Sequence, residues 1–114
     1  MKAFISADIE GVNSICSWDE TEYGHQRYQE FKKQMTEEVK MACIASHEAG
    51  AEKIVVKDAH DSAMNLSISD LPEYVELHRG WEGNLCSMMA GLENTNCFLK
   101  WRSQFNKTCE RKEL

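Results

Sequence analysis

A long amphipathic segment lies between two short apolar runs. From residue 27 to residue 49, apolar side chains recur at steps of three and four, which predicts a helix, and Gly50 is a suitable stop for it. Residues 2–6 predict a short first strand, and residues 52–57 are a β-branched run of strand length. Because a strand, a helix and a second strand form a βαβ unit, the two strands are expected to pair in parallel. The sequence therefore predicts an α/β fold with a mostly parallel sheet built from βαβ units, with helices packed on it.

The rest of the chain adds weaker signals to this unit. Residues 74–78 alternate like a half-exposed strand, residues 84–92 predict a short helix, and residues 96–99 predict a fourth strand. With 114 residues, the chain is long enough for a single hydrophobic core.

Polar side chains follow both strands of the predicted unit. Asp8 and Glu10 come after the first strand, and His60 comes after the second. Because parallel strands end at the same edge of a sheet, these three side chains are expected to converge there. If the first strand simply continued, Asp8 and Glu10 would share one face, which is unfavourable unless water, a proton or a cation separates the charges.

Two carboxylates and an imidazole are ligand types that a catalytic zinc site uses, with a fourth position left open for water. Asp58 and Asp61 flank His60, and one of them is a candidate to orient its imidazole as an outer hydrogen-bond acceptor. The residue types alone also fit another interpretation, in which Asp8 and Glu10 are solvated loop acids and His60 caps a helix.

Composition restricts the other classes of function. The five cysteines are widely spaced without a CxxC pair, which argues against a disulfide framework and a zinc knuckle. The sequence shows neither a signal peptide nor a run of transmembrane length, so we expect a cytoplasmic protein without a membrane partner. Residues 1–97 hold eight Lys and Arg against 17 Asp and Glu, and this acidic body gives no electrostatic case for nucleic acid.

Four stretches together resemble the dipeptide-operon D-aminopeptidase family, which comprises self-compartmentalising bacterial zinc peptidases. They are SADIEGV at 6–12, MTEEV at 35–39, GAEKIVVKDAHDSAMNL at 50–66 and MMAGL at 88–92. The resemblance runs in register over about residues 2–97. A DxEG loop followed at this spacing by a strand and DxH makes it specific.

The resemblance implies a role for each matching residue. In the family, the Asp and Glu of DxEG and the His of DxH bind zinc, and the Asp bridges to a second zinc; these positions are Asp8, Glu10 and His60. It further implies hydrolysis of the N-terminal D-residue of short peptides by a two-zinc site. Because family members assemble into rings, a homo-oligomer is also expected.

The resemblance fails near the end of the chain. Family members continue into a Gly-Tyr-His segment that supplies a further ligand, then a glutamate ligand and a catalytic histidine, whereas this chain reads CFLKWRS at 97–103. Residues 98–114 hold five Lys and Arg against two Asp and Glu. We therefore predict a domain at residues 1–97 and a divergent basic tail at 98–114, either an out-of-frame ending on a truncated product or a divergent short paralogue. At most a zinc half-site is expected, without activity in this chain.

Two other functions compete with this interpretation. One is a non-catalytic oligomeric fragment with no turnover. The other is a phosphatase of the haloacid dehalogenase type, in which Asp8 would be the nucleophile. The residue two positions later is Glu10 and no Thr follows Gly11, which disfavours the phosphatase.

Overall fold

The computed structural model describes residues 1–81, 89 and 91–101. Its strands are β1 (Lys2–Ala7), β2 (Lys53–Asp58), β3 (Val75–His78) and β4 (Cys97–Lys100), and its long helix is α1 (Gln26–Glu48). Each agrees within one residue with the sequence-based prediction. Most of the predicted helix at 84–92, and the tail beyond residue 101, lie outside the described residues.

The four strands form one parallel sheet in the order β3-β2-β1-β4. In the central pair, Lys2 lies opposite Lys53 and Ala7 lies opposite Asp58. The Ala59 N–H then donates to the Ala7 carbonyl at 2.8 Å, just beyond the last residue pair. The predicted α/β fold with a parallel sheet is confirmed, and β1 and β2 end side by side.

Helix α1 covers one face of this sheet. Its apolar stripe includes Phe31, Met35 and Val39, which are buried in the same cluster as Ile5 and Val56 of the sheet. The helix stops at Gly50, which has a φ of 100° and donates its N–H to the His47 carbonyl at 3.0 Å. Within the described ranges, no helix is both long enough and apolar enough to cross a membrane.

The segment from Gly91 to Asn96 lies against the other face. Lys2 Nζ donates to the Gly91 carbonyl at 2.7 Å and to the Glu93 carbonyl, and the Asn96 N–H donates to the Lys2 carbonyl at 2.9 Å. Gly91 lies so close to β2 that a Cβ added there would be 2.7 Å from Val55 Cγ1. This segment therefore helps to bury the second face, on which Val55 is 1% exposed.

Substitution of Gly91 by Ala tests this packing. Gly91 has a φ of 97°, so the variant combines backbone strain with overlap against Val55. Gly50 is a matched control, because its φ is 100° and a Cβ there would meet nothing within 4 Å. In urea unfolding, we expect Gly50→Ala to cost about 1–2 kcal/mol through strain and Gly91→Ala to cost about 1–3 kcal/mol more through overpacking. Equal losses in the two variants would contradict the contact with β2.

Candidate metal centre

The chain turns immediately after β1. Asp8 has extended backbone angles and precedes a single 3-10 turn at Ile9–Gly11, closed by the Gly11 N–H donating to the Asp8 carbonyl at 3.1 Å. Ile9 is fully buried and anchors the turn in the core. The strand does not continue through Glu10, so this turn, and not strand alternation, brings the two carboxylates together.

The structure places His60 against both carboxylates. Its Nδ1 lies 3.2 Å from Asp8 Oδ1 and 3.1 Å from Glu10 Oε1. One candidate ligand atom from each of the three residues can be chosen so that all lie within 4.8 Å of one another. The expected convergence of Asp8, Glu10 and His60 is therefore observed.

The three side chains are partly enclosed by the protein. The side chains of Asp8, Glu10 and His60 are 37%, 17% and 11% exposed. Glu10 Oε2 is buried without a hydrogen-bond partner among the described residues, whereas buried Asp8 Oδ1 has the contact with His60 Nδ1 at 3.2 Å. Burying an unpartnered carboxylate oxygen is costly, and a bound cation would satisfy it.

The cluster shifts the pKa values of its members in opposite directions. Burial, reinforced by neighbouring Glu10, raises the pKa of Asp8 to about 6. Burial opposes ionisation of Glu10 as well, but contacts with His60 and Asp8 outweigh it and lower the Glu10 pKa. Burial also opposes the charged form of His60, yet the two carboxylates raise its pKa to about 10. Without a metal, a positive charge on His60 is thus what offsets the two acids.

The spacing also suits a metal ion. Zinc bound tetrahedrally at about 2.0–2.1 Å keeps neighbouring ligand atoms about 3.3 Å apart, close to the two contacts that His60 Nδ1 makes. Aspartate, glutamate and histidine are all zinc ligands. The residues present therefore fit a zinc ion in their donor types and in the two contact distances of His60 Nδ1.

The other ring nitrogen of His60 meets a backbone carbonyl. His60 Nε2 lies 2.6 Å from the carbonyl oxygen of Thr21, which follows a second 3-10 turn at Trp18–Glu20. The sequence analysis did not identify this contact. A backbone carbonyl has no residue signature, but the S-x-x-E pattern of Ser17 and Glu20 could have indicated the turn.

Asp58 and Asp61 occupy different positions around His60. Asp58 is fully buried, and its carboxylate accepts the backbone N–H groups of Asn65 and Leu66 at 2.6 and 2.7 Å. Asn65 Nδ2 donates both to Asp58 Oδ1 at 2.9 Å and to the His60 carbonyl at 2.7 Å. Asp58 thus supports the backbone of His60 through Asn65, whereas exposed Asp61 lines the neighbouring cleft. That either orients the imidazole of a metal ligand stays a prediction.

A cleft of about 420 Å³ opens beside the three candidate ligands. Trp18, Glu22 and Asp61 also line it, and all three are exposed. The cluster is therefore reachable from solvent, as a site acting on a small molecule must be.

The family model for D-aminopeptidases, peptidase family M55, matches residues 1–99 of the chain. The chain is 27% identical over 95 residues to the D-aminopeptidase of Bacillus subtilis (strain 168). This alignment covers 83% of the chain and 34% of that relative.

Among solved structures, the fold is similar to the Zn-dependent D-aminopeptidase DppA from Bacillus subtilis, described as a self-compartmentalizing protease. The TM-score is 0.82 at 26% identity, over 88% of this chain and 36% of DppA. The chain thus spans about a third of the length of each matched relative. Because the family model covers most of its residues, the chain belongs to the D-aminopeptidase family.

Proposed function

We propose that Asp8, Glu10 and His60 bind zinc, and that this centre serves the removal of an N-terminal D-residue from short peptides. The observation that carries the proposal is the convergence of the three side chains, with Glu10 Oε2 buried and without a hydrogen-bond partner among the described residues. Membership of the D-aminopeptidase family supports the reaction class. The Zn-dependence stated for DppA supports the choice of metal.

Each of the three residues has a defined task in this proposal. Glu10 and Asp8 provide the negative charge that holds a dication, and His60 provides a nitrogen ligand between them. When bound, the metal would polarise the scissile carbonyl and activate a water molecule. The open cleft next to the cluster gives the substrate access to this point.

Within the part of the chain that the structure describes, the three proposed ligands amount to a zinc half-site. We assign three ligands to it, whereas the two-zinc site implied by the resemblance needs additional ligands and a catalytic histidine. We therefore expect the 114-residue chain to bind zinc without catalysing hydrolysis. In this proposal, Asp8 could also bind a second zinc ion as the bridging ligand, because its carboxylate is the most exposed of the three side chains.

Self-association is the second part of this proposal. DppA is described as self-compartmentalizing, and we expect several copies of this chain to assemble as well. Strand β4 lies at one end of the strand order, and Phe98 and Leu99 on it are 44% and 38% exposed. An apolar edge strand favours pairing with another chain.

Zinc content after dialysis without chelator tests the metal assignment. We expect about one zinc per chain in the unaltered protein, in accordance with a three-ligand site. His60→Ala should lower the zinc affinity by at least about 100-fold, since loss of a ligand should exceed the 10–100-fold cost typical of losing an outer partner. His25→Ala is the matched control, because His25 is paired with Glu22 at 3.2 Å. Unchanged zinc content in His60→Ala would contradict the assignment.

Hydrolysis of a D-alanyl peptide and its L-alanyl counterpart tests the reaction. With the zinc-loaded 114-residue chain, we expect no release of alanine from either peptide, because a half-site lacks the second metal. Turnover of the D-alanyl peptide alone would contradict the half-site but support the substrate class. Turnover of the L-alanyl peptide would contradict the substrate class.

The Asp58→Asn variant tests the support of the His60 loop. Asp58 accepts three hydrogen bonds from Asn65 and Leu66, and an amide in its place would leave part of this set unsatisfied. We expect urea unfolding to show a loss of about 1.5–3 kcal/mol, the range for hydrogen bonds to a charged group. Asp61→Asn, at an exposed position of the same loop, should change stability by less than about 0.5 kcal/mol. Similar losses in both variants would contradict a special role of Asp58.

A further inference from the structure

The hydrogen bond between His60 and Thr21 fixes which ring nitrogen is available to a metal. A backbone carbonyl can only accept, so His60 Nε2, at 2.6 Å from the Thr21 oxygen, must carry the hydrogen of this bond. The remaining nitrogen, Nδ1, is then the one that faces Asp8 and Glu10. An outer acceptor of this kind sets both the ring orientation and the tautomer of a metal-binding histidine.

The Thr21 carbonyl is itself held by a tightly closed turn. Thr21 is 2% exposed, and both its N–H and its Oγ1 donate to the Trp18 carbonyl, at 2.9 and 2.8 Å. Neither the side chain nor the N–H of Thr21 can therefore shift without breaking a hydrogen bond. The position of the carbonyl oxygen follows from the position of this turn.

The buried side chain of Glu20 stabilises this turn. Its side chain points back to the preceding backbone, where Oε1 accepts the N–H groups of Cys16 and Ser17, each at 2.9 Å. Glu20 is 6% exposed, which is unusual for a glutamate and is sustained by these charge-assisted bonds. The carboxylate thus fixes Glu20, the residue before Thr21, to the backbone at the start of the turn.

We infer that Glu20 is a positioning residue of the metal centre, acting through the Thr21 carbonyl to present Nδ1 of His60 to the ion. This inference rests on the proposed zinc function. It adds a residue that binds no metal and lies outside the DxEG and DxH motifs. Its physical basis is a set of hydrogen bonds, joined by the backbone of the turn, that leads from Glu20 to Thr21 and on to His60.

Zinc affinity of a Glu20→Gln variant tests the inference. The amide keeps the size of the side chain but removes the charge that holds the N–H groups of Cys16 and Ser17. We expect an affinity loss of about tenfold, at the low end for an outer partner because Glu20 acts through Thr21. Asp19→Asn is the matched control, because Asp19 is its exposed neighbour in the same turn, and it should leave the affinity unchanged. An unchanged affinity in Glu20→Gln, or an equal loss in Asp19→Asn, would overturn the inference.

Nitrogen NMR of His60 in the unaltered chain provides a second measurement that does not require the variant to fold. With zinc bound, we expect the metal on Nδ1 and a slowly exchanging hydrogen on Nε2. Zinc on Nε2 would overturn the inference. If the unaltered chain bound no zinc, the proposed function would be contradicted. The hydrogen bond to Thr21 would still be detected by slow exchange of the Nε2 hydrogen. Rapid exchange of that hydrogen in the metal-free chain would overturn the inference separately.

Discussion

The parallel pairing of β1 with β2 is the constraint on which the candidate site depends. Ala7 lies opposite Asp58, and one further backbone hydrogen bond, from Ala59 to Ala7, extends the contact beyond the paired residues. Both strands therefore end at the same level before the chain turns into the loops of Asp8 and His60. Lys53 is exposed and the other five residues of β2 are buried, so a slip of one residue would bury the Lys53 ammonium, and this pattern keeps the register.

The loops beyond these strands are held by polar groups that are themselves buried. On the His60 side, Asn65 bonds to Asp58 and to the His60 carbonyl, and it also accepts the hydroxyl of Tyr28 from helix α1. The helix that fills the core on one face of the sheet thus also contacts the loop that carries His60. Loss of one member of a buried polar network removes much of the stabilisation that the network provides. The packing of α1 and the position of His60 are therefore energetically connected.

The parts of the molecule that could be predicted are those that the spacing of apolar and polar side chains along the sequence indicates. The helical period of α1 and the apolar runs of β1 and β2 were sufficient for the parallel sheet, and the polar residues after each strand indicated the cluster. The turn at Asp8 could not be anticipated from strand alternation, because it depends on how Ile9 packs in the core. The contact of His60 with Thr21 could not be found either, since it joins a side chain to a backbone oxygen 39 residues away.

All the contacts that define the cluster lie within the first βαβ unit and the loop that follows it. Asp8 and Glu10 come from the first turn, Thr21 from the connection to α1, and His60 from the end of β2. Strands β3 and β4 flank the central pair and provide none of the three candidate ligands. A segment about a third as long as the Bacillus subtilis relatives can therefore hold these three side chains together, because their geometry depends on one strand pair and its crossover helix.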